Sequence, residues 1–132
     1  MRTKSSTPSI VIALLFFAAV SMSVLTGALP WVVIVAYIAF SFVTFIAYAL
    51  DKSAAKKGSW RTSEQSLHIL SLAGGWPGAL VAQQMLRHKS RKVSFRVEFW
   101  ITVVVNIAVL IWLHTEGGRA ALYPLLRSLL GN

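Results

Sequence analysis

The 132-residue chain contains no cysteine, which excludes disulfides, thiol catalysis and thiolate metal sites together. Acids are almost as scarce, with four Asp and Glu against 13 Lys and Arg and a formal net charge of +9. Charged residues make up 13% of the chain and hydrophobic ones 56%, with a mean hydropathy of +0.67. A soluble domain carries about 25% charged residues, so this balance excludes an ordinary soluble globule. Catalytic signatures are missing too: no Ser–His–Asp spacing, no Walker loop, no dinucleotide fingerprint and no zincin motif. Three His and four acids leave few parts for an active site. No repeat and no low-complexity tract is present.

What the chain has instead is apolar sequence in blocks, the mark of membrane spans rather than of amphipathic helices or strands. A short polar lead with Arg2 and Lys4 precedes a first span over residues 9–29. That run is too long for the core of a usual signal peptide, so a retained helix is expected over a cleaved leader. Pro30 and Trp31 mark an interface. Residues 31–50 form a second span without charge, in which Ala36, Ala39, Ser41 and Ala47 suit helix packing. Asp51 and Lys52 end it, and Lys56, Lys57 and Arg61 follow. Thr62 and Gln65 have capping-box spacing, which starts the next helix. A third span covers 97–113, with Glu98 near its start, Asn106 at mid-depth, and Trp112 and His114 at its far end. In the tail, Leu122, Leu125, Leu126 and Leu129 follow helical spacing. With Pro124 in the first turn they predict a short helix lying on the membrane surface.

Between the second and third spans lies the break Gly74-Gly75-Trp76-Pro77-Gly78. Gly74 and Gly75 suit the left-handed conformation that ends a helix, and Pro77 suits the first turn of the next. Residues 64–73 and 78–86 therefore read as two arms, each rising about 12–15 Å, roughly half of a hydrocarbon core of about 30 Å. Charge decides whether they return or cross. With a cytoplasmic N-terminus and a returning hairpin, 11 cations lie inside, and only Arg119 and Arg127 lie outside. A crossing hairpin would split them 6, 5 and 2. The positive-inside rule favours return. The expected architecture is a single all-α membrane domain: three transmembrane helices, a cytoplasmic-side re-entrant helical hairpin, and a short C-terminal interfacial helix.

Two constellations could carry chemistry. Arg87, His88, Lys89, Arg91 and Lys92 form a basic run at the membrane surface. It serves either as a plain topology determinant among head groups or as a site for anionic lipid, at about 1 kcal/mol per cation. It lacks the stacked aromatics of a single-strand binder, so nucleic acid ranks below lipid as a partner. Glu64 and His68 share one helix face at i, i+4, and Asp51 and His88 end neighbouring elements at the same boundary. These four could bind a divalent cation. The simpler role for Glu64 is to stabilise the N-terminus of the arm and pair with Arg87 or Lys89. His68 would then hydrogen-bond within the bundle, as Gln83, Gln84 and Asn106 would across helices. No cofactor follows from these residues.

Asp51-Lys52, Glu64, Gly74-Gly75, Gly78, Arg87-His88-Lys89, Lys92 and Phe95 together resemble the signature of the bacterial domain-of-unknown-function 1294 family, over about residues 46–106. The run GGWPGALVAQQMLRHKSRKVSFRVEFW is similar to its proteobacterial branch. The resemblance implies a small bacterial inner-membrane protein and supplies no catalytic roles. Some relatives carry an N-terminal cold-shock domain that hints at nucleic acid, and this sequence lacks one. The expected function is a non-enzymatic module whose hairpin and basic loops engage anionic lipid or another anionic partner. A cation-handling transporter subunit using Glu64 and His68 comes second. Three spans are few for a transporter, so a homo-oligomer or another membrane protein would complete it. A lipid-modifying enzyme with Glu64 and His68 as acid and base comes last.

Overall fold

Three helices have the length and apolarity to cross a membrane, over Pro8–Leu25, Trp31–Ser53 and Val93–Trp112. In the computed structural model the described residues are 7–57, 64–86 and 93–131. They form α1 (Thr7–Leu25), α2 (Trp31–Lys57), α3 (Glu64–Leu70), a single π turn (Ser71–Gly75), α4 (Trp76–Met85), α5 (Val93–Trp112) and α6 (Glu116–Leu130). No strand occurs among the described residues. The class is that of an all-α membrane protein, as the composition requires.

Pro8 falls in the first turn of α1, where its missing N–H has no intrahelical partner to lose. The helix ends at a turn in which the Ala28 and Leu29 amides both donate to the Ser23 carbonyl, at 2.9 and 3.2 Å. Pro30 then precedes α2. One face of α2 is buried through Val33, Tyr37, Thr44, Tyr48 and Asp51, with Ser41 half-buried in the same row. Ala36 and Ala39, expected to pack, point outward instead. The close contacts of α2 are made by Ser41 and Thr44.

Against that face the chain folds a helical hairpin. Along α4, the Gly78 amide donates to Ser41 Oγ at 3.3 Å, Gln83 Nε2 donates to Tyr48 Oη at 3.0 Å, and Lys52 Nζ donates to the Leu86 carbonyl. Partners advance together along the two helices, so α4 runs parallel to α2. The other arm runs the opposite way. His68 stacks on Phe95 with ring centroids 4.4 Å apart, and Asn106 Nδ2 donates to the Leu72 carbonyl at 2.8 Å. Thus α3 is parallel to α5, while the pairs Tyr48–Phe95 and Tyr37–Asn106 set α5 antiparallel to α2. Both arms therefore begin and end at the Asp51–Lys52 end of the bundle, and the π turn reaches the level of Tyr37 and Asn106.

The turn follows the expected residues with one refinement. Gly74 alone takes positive φ, at 131°, whereas Gly75 sits at −89°. Gly75 is required for a different reason, since a β-carbon there would lie 1.9 Å from Thr44 Oγ1. Gly78 is stricter still: its β-carbon would lie 2.1 Å from the Ser41 carbonyl oxygen. Pro77 occupies the first turn of α4 as its geometry favours. Trp76, Phe95, Phe99, Tyr48 and Leu67 form the centre of the core, all essentially inaccessible.

The tail departs from expectation. Its helix starts at Glu116, so Pro124 lies mid-helix rather than in a first turn. Thr115 is the N-cap, its Oγ1 accepting from the Gly118 amide at 3.1 Å. Beside this corner His114 Nε2 is hydrogen-bonded to Ser23 Oγ at 3.0 Å, tying the end of α5 to the end of α1. Leu125 and Leu129 are exposed, while Leu122 and Leu126 are half-buried. The Thr62–Gln65 capping box lies in part outside the described residues.

Candidate functional site

The hairpin rests on a polar seam. Tyr37, Ser41, Thr44, Tyr48 and Asp51 recur every three or four residues along α2, and so share one face. At the top of the seam Asn106 is the hub. Its Oδ1 accepts from Tyr37 Oη at 2.6 Å and from Trp76 Nε1 at 3.1 Å, and its Nδ2 donates to Leu72 O. One amide thus joins α2, α4, α5 and the π turn. Thr44 returns its hydroxyl to the Phe40 carbonyl at 2.6 Å, and Ser71 Oγ returns to Leu67 O at 3.1 Å. Lower down, Gln83 and Tyr48 pair as noted. The expected structural role of Asn106 and Gln83 is what their geometry shows: each bonds across helices.

Asp51 is fully buried at the foot of the seam. The structure brings His68 to a partner that the sequence pattern did not assign. His68 Nε2 lies 3.1 Å from Glu98 Oε1, with His68 largely shielded and Glu98 more than half exposed. That separation is an ion-pair distance, but neither ring nitrogen has an aligned hydrogen bond. The pair carries full charge attraction only when the imidazole is protonated. Gln65, Ile69, Leu72, Ile101 and Thr102 complete a pocket of about 450 Å³ around it.

Of the proposed cation ligands, Glu64, His68 and Asp51 lie on described residues, and His88 lies outside them. Among the described residues no three His, Asp or Glu side chains gather closely enough to hold a metal ion. The basic run Arg87, His88, Lys89, Arg91 and Lys92 also lies outside the described residues, as does Arg61. Their points of attachment do not. The chain leaves and re-enters the described structure at Lys57, Glu64, Leu86 and Val93, all at one end of the bundle. Lys52, at that same end, caps the last turn of α4, where a cation meets the partial negative charge of the carbonyls.

The seam of α2 and the contact with Glu98 were the residues missed. A polar residue every three or four positions inside an apolar helix is a usable signal, which hydropathy averaging hides. The Glu98 contact has no local signal, because it joins α3 to α5 with the π turn and α4 between them in the chain.

Comparison with known proteins agrees on which part of the chain is characteristic. The model of a family described as protein of unknown function (DUF1294) matches residues 41–95. That segment holds the lower part of the seam from Ser41, the whole hairpin, and the start of α5 through Phe95. The uncharacterized protein YsdA of Bacillus subtilis (strain 168) is 30% identical over 70 residues, which cover 53% of this chain and 78% of that protein. No solved structure matches the chain.

Proposed function

The chain belongs to the DUF1294 family of proteins of unknown function, and from that premise we propose that it is a non-enzymatic binding module of the bacterial inner membrane. Its N-terminus is cytoplasmic, its α3–α4 hairpin dips into the bilayer from the cytoplasmic face, and its basic loops hold anionic lipid head groups. One observation carries this reading: the hairpin begins with α3 and finishes with α4 at the Lys52 end of α2. The loops bearing Arg61 and residues 87–92 are anchored there by connectivity. So is the lead with Arg2 and Lys4, because α1 runs antiparallel to α2 across a tight turn. Eleven of the 13 cations are thereby tethered to one end of the bundle. Each cation near an anionic surface contributes about 1 kcal/mol of attraction, screened by salt.

The contact between His68 and Glu98 favours a second reading, in which the module handles a cation at that pair. Two variants separate the readings. Neutralising Arg87, Lys89, Arg91 and Lys92 to Gln removes at most about 4 kcal/mol, roughly a thousandfold in affinity. Under the binding-module reading, native mass spectrometry of this variant shows loss of anionic-lipid retention. Glu64→Gln with His68→Ala then changes lipid retention little. Under the cation reading the reverse holds, and only the second variant alters bound metal. Insertion is checked first, with single cysteines at Ser59, Ser90 and Ser128 and an impermeant thiol reagent outside intact cells. Only the Ser128 position should label. Labelling at Ser90 would sink the returning hairpin.

A further inference from the structure

The pocket between α3 and α5 holds an acid where a membrane protein can least afford one. Glu98 lies five residues into α5, a helix long and apolar enough to cross a membrane, about 7.5 Å along it at 1.5 Å per residue. An ionisable group inside such a segment marks a functional site, and its partner has to be named. His68 is an incomplete one. Its Nε2 lies 3.1 Å from Glu98 Oε1 without an aligned hydrogen bond, and the Glu98 side chain stays 59% exposed. Arg96, the nearest cation in the chain, lines a separate hollow with Trp100 and Val104. The pocket therefore presents a negative charge, together with further acceptors. Gln65 offers an amide carbonyl. Thr102 gives its hydroxyl hydrogen to the Phe99 carbonyl at 2.5 Å, so toward a ligand its oxygen can only accept. Ile69, Leu72 and Ile101 make the remaining wall apolar. The volume of about 450 Å³ is that of a small-molecule site and far exceeds one metal ion. A metal would also lack a third His, Asp or Glu ligand among the described residues.

We propose that this pocket binds the primary ammonium of an amphiphilic amine, with Glu98 as its counter-ion and its chain against Ile69, Leu72 and Ile101. The site rests on the cation reading of the His68–Glu98 pair above and replaces the metal ion with an organic one. An alkyl chain gains no hydrophobic energy on leaving the bilayer for an apolar wall, so the wall only orients it. Affinity comes from the charge and from N–H donors meeting acceptors. A quaternary ammonium carries the charge without the donors and should bind worse. Two sources offer the favoured group, a free alkylamine and the ethanolamine head of a phospholipid, and both show Glu98 the same chemistry.

The test uses the full chain in phosphatidylcholine nanodiscs with a decylamine bearing a diazirine in its chain, photolysed and mapped by peptide mass spectrometry. Adducts on Ile69, Leu72 and Ile101 should exceed those on the outward α2 residues Val35 and Val43 by about fivefold. Unlabelled decylamine should compete, with decyltrimethylammonium about tenfold weaker and decanol without effect. Glu98→Gln keeps the shape at an exposed position and should weaken labelling about tenfold. Ile69 is exposed, so Ile69→Trp narrows the pocket without disturbing the core and should bring adducts on Leu72 and Ile101 down to the α2 level. Nanodiscs with added phosphatidylethanolamine separate the sources: displacement of the label assigns the lipid head, and unchanged labelling assigns the free amine. Labelling indifferent to Glu98→Gln, or competed equally by decanol, overturns the site. Mn²⁺ retained by the wild type and lost in Glu98→Gln, with no saturable amine labelling, overturns the organic ligand and leaves the cation reading standing. Neither retained Mn²⁺ nor saturable labelling overturns both.

Discussion

The two faces of α2 are made of opposite materials. The face turned to the hairpin carries Tyr37, Ser41, Thr44, Tyr48 and Asp51, while the outward face carries Val35, Ile38, Phe42, Val43, Ile46 and Leu50, all exposed. A soluble helix would have them exchanged. In lipid the apolar face is already in a matching solvent, so burying it contributes little. Hydrogen bonds and close packing of small residues hold the helices together instead. The inward face is therefore where stability resides, although it looks like the weaker half of the sequence.

That contrast can be broken most severely at Gly78. Gly78→Ala places a methyl 2.1 Å from the Ser41 carbonyl oxygen, and backbone cannot yield as a side chain would. A loss of about 3 kcal/mol is expected, seen as disappearance of the folded species on size exclusion in detergent. Next is Asn106→Leu, which strips partners from Tyr37, Trp76 and the Leu72 carbonyl. At about 0.6 kcal/mol per hydrogen bond in a membrane bundle, the three bonds sum to roughly 2 kcal/mol. Their loss should show as a lower midpoint of thermal unfolding. Gly74→Ala meets only ordinary contact with the Tyr37 ring, at 3.5 Å, but must hold φ at 131°. Its cost should be about 1 kcal/mol. The smallest effect belongs to the other face: Ile46→Ala should change the midpoint by less than about 0.5 kcal/mol equivalent. If Ile46→Ala cost as much as Asn106→Leu, the contrast between the faces would be wrong.

How much of this was legible follows from where each signal is stored. The three spans and the two arms were readable, because hydropathy and the Gly-Gly-Trp-Pro-Gly break are local. The division of labour between Gly74 and Gly75 was not, since a positive φ and a missing side-chain volume both appear in sequence as glycine. The start of the tail helix was not, since Pro124 suits a first turn but does not require one, and α6 begins eight residues earlier. Thr115, capping through its hydroxyl, was the better sign. The candidate site was legible only in its components. His68 was singled out, but its distance to Glu98 depends on how α3 lies along α5, which no spacing in the chain encodes.

The shortness of the hairpin arms has a consequence for how the protein comes to be built. At seven and ten residues, α3 and α4 are about 10 and 15 Å long, too short for either to be recognised and inserted as a span. Their place in the bundle depends on α2 already standing in the membrane with its polar row unoccupied. A chain that ends after α2 would leave the tyrosines, hydroxyls and Asp51 carboxylate of that row without the hairpin that covers them. Docking of the hairpin removes that surface in one event. A chain truncated before Glu64 should therefore be degraded faster than the full-length protein, measured as its half-life after synthesis is stopped.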